Sequence, residues 1–80
     1  TPGHTPGHQS LLVDDDSGRT IVGGQCCYTC AEYTARELDP GDVHDESWSD
    51  TSRASLDRLH ALEPDVVHFS HDRTVYRRAA

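Results

Sequence analysis

Apolar residues occur in short runs separated by polar turns, and the spacing within each run predicts an element. Residues 10–13 (Ser-Leu-Leu-Val) read as a strand, the stretch from Asp14 to Gly18 as a polar turn, and Thr20-Ile21-Val22 as a second, β-branched strand ending at Gly23-Gly24. Together they predict an antiparallel hairpin with a loop of about four to six residues. Thr29 followed three residues later by Glu32 is a capping-box pattern, so a short helix is expected over about 30–38, stopped by Asp39-Pro40-Gly41-Asp42. Residues 39–50 are acidic and irregular. A second helix, capped by Ser49 or Asp50, should run to about Glu63 ahead of Pro64. Within it Leu56, Leu59 and Leu62 form a narrow apolar stripe that should face a sheet. Asp65-Val66-Val67-His68-Phe69 is the last strand, and residues 74–80 form a short Arg-rich tail, an edge segment or frayed.

The predicted order is loop, strand, strand, helix, helix, strand. This is an α/β pattern with too few strands to cover both helices, and it reads as half of a layered sandwich. The expected result is exposed sheet edges, an uncovered apolar helix stripe and a tendency to self-associate.

Composition narrows the function classes. The 80 residues carry 14 acidic against 7 basic side chains, a net charge of −7, and all seven cations are Arg. That balance argues against nucleic acid and anionic membrane surfaces as partners. No apolar run approaches the length of a membrane span. The three cysteines, Cys26, Cys27 and Cys30, are too few and too close together for a disulfide framework. They read as half-buried thiols of a cytoplasmic protein, with a small Cys/His zinc module as a remote alternative.

Six histidines are many for this length, and two settings stand out. Residues 1–8 repeat Thr-Pro-Gly-His, so a Pro-Gly turn stiffens the backbone before His4 and again before His8. His71 follows the last strand directly, in Phe69-Ser70-His71-Asp72, where Asp72 could orient a neighbouring imidazole. His44 and His60 read as surface residues. His4 and His71 are therefore the candidate metal ligands.

The string Thr1-Pro2-Gly3-His4-Thr5-Pro6-Gly7-His8-Gln9-Ser10-Leu11 resembles the third-histidine loop of metallo-β-lactamase-fold hydrolases, closest to the N-acyl-homoserine lactone lactonase branch. Gln25-Cys26-Cys27-Tyr28-Thr29 falls where that branch has an Asp, two small residues and Tyr-Thr. His68-Phe69-Ser70-His71-Asp72 resembles its last metal-binding strand end. The resemblance implies the second half of an αβ/βα sandwich (a short β-hairpin, two helices and a final strand), with residues 1–80 as the C-terminal part of one domain. It further implies His4 and His71 as metal ligands, Gln25 at the bridging position, His8 as a structural neighbour, and Tyr28 as a hydrogen-bond donor to the substrate carbonyl.

The implied cofactor is zinc, one or two ions, with other divalent metals as alternatives. The implied reaction is hydrolysis of a small ester, lactone or related acyl compound by metal-activated water. The opening signature of that family, H-x-H-x-D-H, appears nowhere in the chain, and Gln25 replaces a bridging carboxylate with a neutral amide. The isolated chain is accordingly expected to be inactive, part of a longer product, and dependent on an N-terminal half, a complementing chain or a second copy. A degenerate, non-catalytic binding or oligomerisation module is the alternative reading.

Overall fold

The computed structural model describes residues 1–38 and 46–78. The hairpin forms as expected, with strands β1 (Leu11–Asp15) and β2 (Gly18–Val22). Its loop is shorter than the polar run suggested: Asp15 pairs with Gly18, leaving two turn residues, Asp16 and Ser17. The turn closes because the Asp15 carboxylate accepts from both the backbone N–H and the hydroxyl of Ser17, which also lowers the Asp15 pKa. The ladder thereby extends through Asp14 and Asp15, residues whose polarity had marked them as loop.

Helix α1 spans Cys30–Ala35 and opens with the predicted capping box, the Thr29 hydroxyl taking the Glu32 N–H while the Glu32 carboxylate takes the Thr29 N–H. It ends before residue 38 because Arg36 turns left-handed, at φ 57°, and its N–H returns to the carbonyls of Glu32 and Tyr33. The expected stop at Asp39-Pro40-Gly41-Asp42, and His44, lie outside the described residues.

Helix α2, Ser49–Ala61, continues from a 3-10 turn over Glu46–Trp48. Neither Ser49 nor Asp50 caps it. Trp48 holds the cap position and its side chain makes no capping bond, and Asp50 lies in the first turn, where a carboxylate suits the helix dipole. Strand β3 (Val66–His68), expected to be the last, is not, because the Arg-rich tail adds an edge strand, β4 (Tyr76–Arg77), paired antiparallel with it.

The sheet order is β1-β2-β3-β4, with β2 and β3 parallel and the outer pairs antiparallel. Strand periodicity sorts residues onto two faces. The row Leu12, Ile21, Val67, Tyr76 crosses all four strands. Ile21 and Val67 in that row form the core with Cys26, Cys27, Tyr33, Leu56 and Leu59, while Tyr76 and Leu62 pack against it half-buried. The leucine stripe of α2 is thus covered by the chain's own sheet, contrary to expectation. The opposite face carries Leu11, Val13 and Val22, which are 65%, 50% and 43% exposed, an apolar surface left open among the described residues; Leu12, at the edge of the core-side row, is also exposed.

Candidate functional site

The site is built on the N-terminal loop. Gly3 is buried at φ 150°, a backbone conformation that favours glycine, its N–H and that of His8 both reaching the Thr5 carbonyl. The loop rests on α2: the Ser55 hydroxyl donates to the Pro2 carbonyl at 2.7 Å, and a Cβ on Gly3 would overlap the Ser52 hydroxyl beneath it. The Ser52 hydroxyl is buried without a hydrogen-bond partner, the result of this close backbone approach.

The two repeats diverge. His4 is half-buried and meets Tyr28, whose hydroxyl lies 3.3 Å from His4 Nδ1 with the rings edge-on and 5.6 Å apart. His8 turns inward, with Nε2 2.8 Å from the Gln25 N–H and Nδ1 2.9 Å from the Thr1 carbonyl. Both of its nitrogens are engaged, which matches the structural place expected of it.

Tyr28 sits in the loop between β2 and α1, where its N–H donates to the capping-box carboxylate of Glu32 at 2.8 Å. His71 arrives from the other end of the chain and packs on the same tyrosine ring, 4.2 Å between centroids. His4, Tyr28 and His71 are thereby brought together. Asp72 orients no imidazole among the described residues. Its carboxylate instead accepts the N–H of Cys30 at 3.0 Å and of Thr74 at 2.9 Å, tying the His71 loop to the start of α1. These two bonds, Cys30 first, hold its pKa below the usual carboxylate value. Gln25 takes part through its backbone N–H, which fixes the loop against His8.

The donor set tests a metal directly. Imidazoles are suitable ligands, but a catalytic zinc takes three protein ligands, and no group of three His, Cys, Asp or Glu among the described residues is placed to hold an ion. His4 and His71 alone do not fit a complete centre. Nor does a Cys/His zinc set form among them: Cys26 and Cys27 are buried in the core, and the three cysteines form no disulfide. An apolar groove of about 230 Å³, lined by Leu11, Leu12, Ile21, Arg58, Leu59 and Leu62 among others, does not include the tyrosine cluster.

His60 departs from its expected surface position. It stacks on Tyr33 with ring centroids 4.0 Å apart and planes 14° apart, and its Nε2–H donates to the Tyr33 carbonyl at 2.8 Å. Burial lowers its pKa, against the raising effect of that bond. Its place between Leu59 and Leu62, four residues after Leu56, was the sequence signal for this side of the helix. Burial also pushes the Tyr33 phenol up to about 12.

Comparison with known proteins adds family context. No protein-family model matches the chain, and no solved structure does. The chain is 33% identical to the probable metallo-hydrolase YflN of Bacillus subtilis (strain 168), across 89% of its own length and 29% of that protein. It is 37% identical to an N-acyl homoserine lactonase of a Bacillus species, across 90% of its length and 28% of the lactonase. It spans less than a third of the curated relatives it matches. Among the described residues, no helix is long and apolar enough to cross a membrane. With nine-tenths of its residues aligned to such hydrolases at 33% and 37% identity, the chain is similar to a segment of a metallo-β-lactamase-like protein.

Proposed function

We propose that this chain is the C-terminal part of a metal-dependent hydrolase of small esters, lactones or related acyl compounds, working in the cytoplasm. The observation that carries the reading is the meeting of His4 and His71, from opposite ends of the sequence, on Tyr28. Their nitrogens supply part of a ligand set whose remainder belongs to an H-x-H-x-D-H segment that this chain lacks. His4 and His71, completed by that segment, would hold a divalent ion, and the chemistry it would supply is acidification of water towards a pKa of about 7.

The chain's own contribution is Tyr28. A metal-ligating histidine donates its second ring N–H to a neighbouring acceptor. The His4 Nδ1–H finds that acceptor in the Tyr28 oxygen, while the Tyr28 hydroxyl donates to the substrate oxygen that gains charge. Gln25 offers an amide oxygen without charge where two cations would need a carboxylate between them, which favours one zinc ion over two. The open face around Leu11, Val13 and Val22 is where the N-terminal half packs.

Metal analysis of the complete protein should find about one zinc per chain, in keeping with a single closed ligand set. Hydrolysis of a short acyl lactone should stop on chelation and return with zinc. Less than one equivalent of metal and no hydrolysis would favour the second reading, a non-catalytic scaffold for binding or self-assembly, for which Gln25 is the supporting feature.

A further inference from the structure

We infer that His8 is the positioning residue of the Tyr28 cluster: its neutral ring, with the hydrogen on Nδ1, fastens the β2–α1 loop to the loop that presents His4. The inference rests on the proposed role of Tyr28 and goes beyond it to what sets that tyrosine's place. A backbone N–H can only donate, so Nε2 of His8 accepts from Gln25 at 2.8 Å. The ring hydrogen therefore sits on Nδ1 and goes to the Thr1 carbonyl at 2.9 Å. Thr1 Oγ1, 2.9 Å from the same nitrogen, is 2.7 Å from the Ser10 hydroxyl, which donates to the Gly23 carbonyl at 3.1 Å.

One imidazole thus joins the first residue, the start of β1 and both flanks of Gly24. Gly24 itself is left-handed at φ 60°, and a Cβ there would lie 2.8 Å from His8 Nε2, so the ring and the glycine fit only together. Tyr28 stands three residues beyond Gln25, and His4 stands four residues before His8 in a loop whose Thr5 carbonyl takes the His8 N–H. The loop of Tyr28 is thus held by the His8 ring, and the loop of His4 by the His8 backbone N–H and by the ring's bond to Thr1. The repeated Thr-Pro-Gly-His divides the work: the first copy presents its histidine and the second anchors the presentation.

The experiment uses the complete protein throughout and begins with nitrogen NMR of its unaltered form, which should show His8 protonated at Nδ1 and bare at Nε2; the opposite tautomer overturns the inference. His8→Leu should then lower turnover about 10²-fold, the scale of a misplacement near 1 Å. It should also remove the ring-current shift that Tyr28 imposes on His71. His8→Gln, whose amide oxygen reaches the Nε2 position, should restore most of both. Unchanged turnover and ring signature in His8→Leu, or no restoration in His8→Gln, overturns the role. If His8→Leu does not fold, the tautomer and the His71 signature in His8→Gln decide. An unaltered protein with the expected tautomer and ring signature but no hydrolysis would sink the functional reading while leaving the positioning role standing.

Discussion

At the scale of single residues, Tyr28 and His60 show how the same chemistry serves different ends. Tyr28 lies at the surface of the fold against two imidazoles, its hydroxyl 3.3 Å from His4 Nδ1. Tyr28→Phe keeps the ring and removes the donor. Turnover of the complete enzyme should fall on the order of 10²–10³-fold, as for a lost oxyanion donor, while metal content measured by atomic absorption stays level. His60 is instead a packing residue, neutral against Tyr33. Its folded pKa lies below the ordinary 6.5, so its contribution to stability is complete above that value and is lost as pH falls through the folded pKa. Urea unfolding of the protein and of His60→Gln should show a stability difference that narrows as the solution is acidified; a difference that widens would contradict this sign.

At the scale of elements, α2 does two jobs with two stripes. Leu56 and Leu59 bury against the sheet, and Leu56→Ala should cost about 2–5 kcal/mol by removing a fully enclosed side chain. Ser52 and Ser55 form the seat of the N-terminal loop. A methyl group on Gly3 has no room above Ser52, so Gly3→Ala should destabilise by about 1–3 kcal/mol, read as a shift in the denaturant midpoint. In the same variant His4 should move away from Tyr28, seen as loss of the cross-peaks between the two rings. The leucine repeat made the core stripe visible in the sequence. The serine seat was invisible, because a small polar residue in a helix gives no sign of which backbone will lie on it.

At the scale of the whole molecule, the sheet has one face filled by helices and one left apolar and open. Leu11, Val13 and Val22 are neighbours there across β1 and β2. The 80-residue chain should self-associate through this surface, and sedimentation should return Leu11→Lys/Val13→Lys towards the monomer without lowering its unfolding midpoint. Equal association by that variant would place the contact elsewhere. Arg19 and Arg78 close the far end by donating to the Leu62 and Glu63 carbonyls beyond α2, with Asp65 bound to Arg78 and to the Arg19 N–H. Arg78, next to the C-terminal alanines, thus belongs to the fold, a long-range role that composition does not reveal.

The sequence by itself determined the hairpin, the capping box at Thr29 and Glu32, the leucine stripe and the order of the elements, because each follows from forces acting over a few residues. It also singled out His4, Tyr28 and His71 as separate candidates. Only the tertiary structure decided which of two identical Thr-Pro-Gly-His turns meets Tyr28 and which anchors the loop at Gln25, that Asp72 holds a loop, that His60 is stacked, and which apolar surface stays uncovered. Those outcomes depend on contacts between segments up to tens of residues apart, and no local periodicity encodes them.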